Sequence, residues 1–111
     1  MAAQNRLDPV ERHVFNTSSL TGSYQVVSAG GFDVDLVIYK VYNSSSEDVD
    51  ISYDGVTDHD IIPAGGTFIA DVQANAEGTR CAWPRGRELY VKGTNSAGGV
   101  YEMGYTVKAS P

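Results

Sequence analysis

Between Asp50 and Gly66 the chain reads DISYDGVTDHDIIPAGG, which places four aspartates, one histidine and three glycines in seventeen residues. A calcium loop of the EF-hand type takes oxygens at positions 1, 3, 5 and 9, glycine at 6 and a bidentate glutamate at 12. Counted from Asp50, the residues Asp50, Ser52, Asp54, Gly55 and Asp58 fall into register. The last place is filled by Ile61, which has no oxygen to give, and the residues before Asp54 alternate like a strand. Asp50, Ser52, Asp54 and Asp58 thus form only a weak, nonstandard calcium candidate. Zinc needs three or four converging ligands. His59 lies between Asp58 and Asp60, but the chain holds one other histidine, His13, and one thiol, Cys81. The favoured reading is a solvated acidic loop whose Asp and Gly residues satisfy tight turns.

Other chemistry is sparse. Asp33 and Asp35 share one strand face, and paired carboxylates do acid–base work when their environments separate their pKa values. Their neighbours Phe32, Val34, Leu36 and Ile38 take the opposite face, so the two acids are expected to face water. No nucleophile elbow, phosphate loop or dinucleotide fingerprint occurs. Cys81, beside Ala82, Trp83 and Pro84, reads as a packed thiol. The sequence therefore predicts no enzyme and no cofactor.

Charge is unevenly spread. Between Val41 and Thr79 there are eight acids and no Lys or Arg. Arg80, Arg85, Arg87 and Lys92 then arrive together, interleaved with Trp83 and Tyr90. Arg, Trp and Tyr are enriched in interface hot spots, so Arg80, Trp83, Arg85, Arg87, Tyr90 and Lys92 form a candidate contact patch. If the acidic and basic zones lie on opposite sides, head-to-tail contacts between copies can close a ring.

The elements that must carry these residues are strands. The 111 residues suit one domain. Gly, Ser, Thr, Val and Tyr are plentiful and helix formers few, which favours strands and turns. Residues 1–12 read as an N-terminal arm, extended or with a short helix over 8–13 capped by Asp8, which orders on a neighbour. Residues 13–111 read as the domain. GSYQVVSA, FDVDLVIYKVYN, the Val49–Tyr53 alternation, TFIADVQ and RELYVKG are expected strands. Asn95 to Gly99 is expected to close a hairpin, with Tyr101, Met103, Tyr105 and Val107 on one face of the last strand and Glu102, Thr106 and Lys108 opposite. Asp54-Gly55 and Pro63–Gly66 are turn signals. Seven to eight mostly antiparallel strands make an all-β domain, a small β-sandwich or jelly-roll-like barrel.

The formal net charge is −6, which argues against direct nucleic-acid binding. A lone cysteine, a polar N-terminus and the lack of any long apolar stretch predict no disulfide, no signal peptide and no membrane partner, so folding in a reducing cytoplasm is expected. Asn16-Thr17-Ser18 and Asn43-Ser44-Ser45 fit a glycosylation pattern but read as turn residues.

From Tyr42 to Tyr105 the pattern VYNSSSEDVDISYDGVTDHDIIPAGGTFIADVQAN, then ELYVKGT, then GVYEMGYTV, resembles small structural proteins of tailed bacteriophages. The resemblance covers about two-thirds of the chain and rests on turn and strand motifs. It implies a β-sandwich virion component without catalysis, made in the host cytoplasm, at the capsid surface as decoration or cement, at the head–tail connector, or in the tail. Capsid, portal or connector, or tail proteins are the implied partners, and a homo-oligomer is expected. The alternative is a carbohydrate- or calcium-dependent β-sandwich binding module.

Overall fold

Strand β9 (Gly99–Ala109) organises one half of the molecule. On one side it pairs with β4 (Ile38–Asn43), and on the other with β1 (Asn5–Pro9) and then β2 (His13–Asn16); β7 (Thr67–Asp71) adds outside β4. The second sheet runs β3 (Gln25–Val26), β8 (Tyr90–Gly93), β5 (Val49–Ser52) and β6 (Asp60–Ile62). Every ladder is antiparallel. This is the arrangement in a computed structural model of the chain, which describes residues 5–72 and 82–109. It is the all-β sandwich expected from composition and turn spacing, with β2 and β6 as short strands that periodicity did not mark.

The core lies between the sheets. Tyr39 and Val41 of β4 and Val100 of β9 meet Val49, Ile51 and Val91 from the other sheet, all 1 % exposed or less. The phase of this packing corrects the expectation for 32–43. Phe32 and Leu36 point inward, but strand pairing starts only at Ile38, and from there the buried residues are Tyr39, Val41 and Asn43. A bend at Val37 shifts the alternation by one residue, which turns Ile38 away from the core. Leu36 is held before the bend by an isolated antiparallel bridge to Trp83.

The last strand is also turned relative to a simple hydrophobic reading. After Gly99, the buried residues of β9 are Val100, Glu102 and Gly104, while Tyr101, Met103 and Tyr105 are only half-buried on its outer side. A Cβ on Gly104 would sit 2.5 Å from Leu36 Cδ1 and 2.8 Å from the Ile38 carbonyl oxygen, so close approach of the backbones requires glycine there.

Two further expectations are corrected. Asn95 to Gly99 does not close a hairpin, because β8 and β9 belong to different sheets. The loop crosses between sheets and is pinned by buried Thr17, whose hydroxyl donates to the Ser96 carbonyl at 2.9 Å. There is no helix over 8–13: β1 pairs with β9 in the register Asn5↔Ala109 to Pro9↔Tyr105. Proline, lacking an N–H, is tolerated there because β1 is an edge strand. The Arg6 Nε donates to Asp8 at 2.9 Å, and Lys108 lies 3.6 Å from the same carboxylate, which ties the two strands together.

The SSSED turn is built around buried Asn43. Its Nδ2 donates to the Glu47 and Ile62 carbonyls at 2.8 and 3.1 Å, and its Oδ1 accepts from Ser45 N–H and Oγ at 3.0 and 2.7 Å. That amide is a structural bolt between β4, the turn and the end of β6, consistent with the turn reading of Asn43.

Candidate functional site

The acidic loop between β5 and β6 is a self-satisfied turn. The Asp54 carboxylate accepts from the N–H groups of Val56 and Thr57 at 2.8 and 2.7 Å, and from the Thr57 hydroxyl at 2.8 Å. The Thr57 and Val56 amides hold its carboxyl well below the usual carboxylate range. The Ser52 hydroxyl donates to the same carboxylate at 2.9 Å, and Gly55 takes φ 80° beside the Tyr90 ring. Asp58 accepts from the Tyr24 hydroxyl and lies 3.1 Å from Lys92 Nζ. These two partners, the tyrosine foremost, lower its carboxyl pKa. The His59 Nδ1 accepts the Tyr53 N–H at 3.0 Å, and Asp60 accepts from the Tyr53 hydroxyl at 3.2 Å. Asp50 sits on β5 opposite Lys92 and Ile61. Of the calcium-candidate residues, Ser52 and Asp54 thus bond each other and Asp58 is engaged by Tyr24 and Lys92, and among the described residues no three His, Cys, Asp or Glu side chains are grouped to hold a metal.

Of the candidate contact patch, Arg87 and Trp83 touch each other, and Arg85, Tyr90 and Lys92 each have partners outside it. Trp83 packs on the core: its ring stacks on Tyr39 at 4.1 Å and meets Tyr53 edge-on at 5.2 Å. The Arg87 guanidinium lies over it at 4.7 Å. The Tyr90 hydroxyl donates to Glu88 at 2.6 Å. Lys92, paired with Asp58, also lies over the Tyr24 ring at 4.5 Å. Arg85 is exposed on a turn, and its N–H donates to Asp35 at 2.8 Å. Arg80, like Cys81, lies outside the described residues. Lys92 therefore belongs to the acidic sheet itself.

The buried polar cluster of the first sheet was not anticipated. Glu102, 1 % exposed, accepts from the Tyr39 hydroxyl at 2.6 Å and meets His13 Nδ1 at 2.9 Å. Burial, then the adjacent carboxylate, raises the Tyr39 hydroxyl pKa far above the usual phenol range. The His13 ring stacks on Phe32 at 4.1 Å, at the rim of a shallow hollow that also reaches Glu11 and Asp33. Asp35 does not join it. An acid–base site on Asp33 and Asp35 is not assembled.

The most distinctive surface is the outer face of the first sheet. Strand register sets Val14, Tyr101, Tyr42 and Thr67 in one row, Met103, Lys40 and Ile69 in the next, then Pro9, Tyr105 and Ile38, then Leu7 and Val107. Of the seven exposed large hydrophobics among the described residues, five lie here: Leu7, Val14, Tyr42, Ile69 and Val107. Tyr42 and Tyr101 stack at 6.0 Å with Arg12 over the Tyr101 ring at 6.0 Å, and Lys40 lies over Tyr105 at 5.2 Å. Where the chain passes from β1 to β2, Pro9, Arg12, Lys40, Met103 and Tyr105 line an open hollow of about 620 Å³. Contiguous apolar faces of this kind mark interaction sites. Alternation grouped the tyrosines of β9 correctly but did not tell which face met the core, where Gly104 leaves no room for a side chain beside Leu36 and the Ile38 carbonyl.

Comparison with known proteins yields no match: no family model, no curated protein and no solved structure matches the chain.

Proposed function

We propose that the protein is a structural subunit of a tailed-bacteriophage particle, assembled in the host cytoplasm, which works by surface contact with capsid, connector or tail proteins and with copies of itself. The observation that carries this reading is the apolar, tyrosine-rich outer face of the first sheet, laid on a rigid two-layer scaffold. A sandwich whose sheets already cover each other has no internal use for a third apolar face, so that face suits a partner. The turn and strand motifs between Tyr42 and Tyr105, which resemble those of phage structural proteins, supply the particle. The test is quantitative mass spectrometry of purified particles, counting this chain against the major capsid protein. A ratio near parity indicates a shell decoration or cement protein, and a ratio far below it a connector, ring or fibre. Absence from the particle refutes the proposal.

One observation favours a second reading, a carbohydrate-binding module. Tyr42, Tyr101, Arg12 and Met103 form a shallow ledge of stacked rings beside a guanidinium. A thermal shift with oligosaccharides that disappears in Tyr101→Ala would select this reading over the first.

A further inference from the structure

We infer that the outer face of the first sheet packs against the same face of a second copy, as a two-fold dimer. This rests on the reading of the chain as a contact subunit and names the partner of that surface.

Charge selects the occupant. On the outer face of the first sheet and the β1–β2 link, Arg12 and Lys40 balance Glu11 and Asp71, two of each sign, within a chain of net charge −6. The second sheet and its β5–β6 loop hold Asp50, Asp54, Asp58 and Asp60 against Lys92 alone, four acids to one base. Two copies that met through the second sheet would bring like charges together. Two that meet through the first sheet do not, and they leave their acidic sheets on the far sides. An isologous contact needs a surface complementary to itself, and a neutral face of tyrosine, methionine and aliphatic side chains bearing both signs satisfies that. Lys40 and Arg12 lie along tyrosine rings and not upright, so a flat sheet can approach.

The size of the face sets the strength. Four strands about 4.8 Å apart, and residues about 3.3 Å apart along them, give a flat footprint of about 500 Å² per copy and about 1,000 Å² for the pair. That is at the lower edge of the roughly 1,200–2,000 Å² of stable specific interfaces. The dimer is therefore a weak one, populated at tens of micromolar and reinforced where many copies are held together.

Sedimentation velocity of the full chain from about 1 to 500 μM, bracketing the affinity such an area supports, tests this. The expected result is a monomer–dimer equilibrium. Ile69→Lys and Tyr42→Glu, both at exposed positions, should each raise the dissociation constant at least tenfold with the fold intact by circular dichroism. Val56→Lys, in the β5–β6 loop, should leave it unchanged. In a Cys81→Ser background, Met103→Cys near the centre of the face should give a covalent dimer on oxidation. A monomer throughout the range overturns the inference, as does a dimer that survives both face variants. The failures of the two proposals are separable. A chain that is monomeric yet present on particles loses this contact and keeps its function, whereas a dimer absent from particles does the reverse.

Discussion

The Tyr39 hydroxyl donates to the Glu102 carboxylate at 2.6 Å between adjacent strands, with both side chains closed to water. In register Tyr39 lies opposite Gly104 and Glu102 opposite Val41, so the bond is a diagonal one. Glu102→Ala should destabilise the fold by about 3 kcal/mol, because it leaves a buried phenol and His13 Nδ1 without their partner. Glu102→Gln keeps an acceptor of the same shape and should cost less, and Tyr39→Phe about 1–2 kcal/mol. Urea denaturation of the three variants checks this ranking. Equal losses in the Ala and Gln variants would show that the charge of the carboxylate, and not its shape or acceptor oxygen, carries the contribution.

Gly104→Ala should cost about 1–3 kcal/mol, since the added carbon meets a backbone carbonyl that cannot move aside as a side chain can. Gly22→Ala is the matched control: nothing lies within 4 Å of the new carbon. It should be neutral or stabilise by up to about 1 kcal/mol through the unfolded chain. Thermal melts of both variants decide the matter.

Titration should expose the tyrosines. Burial first, and then Asp58, Glu102 and Asp60 respectively, raises Tyr24, Tyr39 and Tyr53 above the usual phenol range. A group whose pKa is raised by folding favours the fold fully below its unfolded value, here about 10, and that stability is lost as pH climbs past it. The native chain should therefore show an incomplete phenolate absorbance above that pH, completed when denaturant is added. A full signal from the folded chain would contradict the packing described for these rings.

The acid side has the opposite sign. The Asp54 carboxyl is lowered by the amides of Thr57 and Val56, so its contribution is present above the ordinary carboxylate range and is lost as pH falls through and below it. Asp54→Asn keeps acceptor oxygen on the turn but does not titrate. Its melting temperature should fall less steeply with acidification than that of the wild type between about pH 4 and 2.

Arg87→Ala should cost about 0.5–1 kcal/mol by removing the cation over Trp83. The chain has one tryptophan, so its fluorescence reports this site alone, and a shift to longer wavelength is expected as water reaches the ring. An unchanged spectrum would mean that Arg87 does not cover Trp83.

The architecture was legible because turn chemistry is local. Asp54-Gly55 and Pro63–Gly66 mark their turns by residue type alone: Gly65 takes φ 73°, and Gly66 N–H closes on the Pro63 carbonyl at 2.8 Å. The acidic loop was legible as scaffold for the same reason. Facing was not legible. The strand around Val37 changes phase through a bend, and β9 buries a glutamate while it turns two tyrosines, Tyr101 and Tyr105, outward. Both depend on contacts distant in sequence, Trp83 with Leu36 and Gly104 with Leu36. The contact patch at 80–92 was inferred from residue types that cluster in sequence. In space Trp83 serves the core with Arg87 over its ring, and Lys92 pairs with Asp58.

The position of β9 has a consequence for synthesis. His13 meets Glu102 across 89 residues, and among the described residues neither β1 nor β2 has a sheet partner except β9. A ribosome adding about 5–20 residues per second leaves those strands waiting on the order of 5–20 s. During that interval Val14 and Phe15 have no ladder to join, while β4 can already pair with β7 and β5 with β6. Each sheet is thus only begun by its early strands, the second awaiting β8 and the first awaiting β9, which completes it.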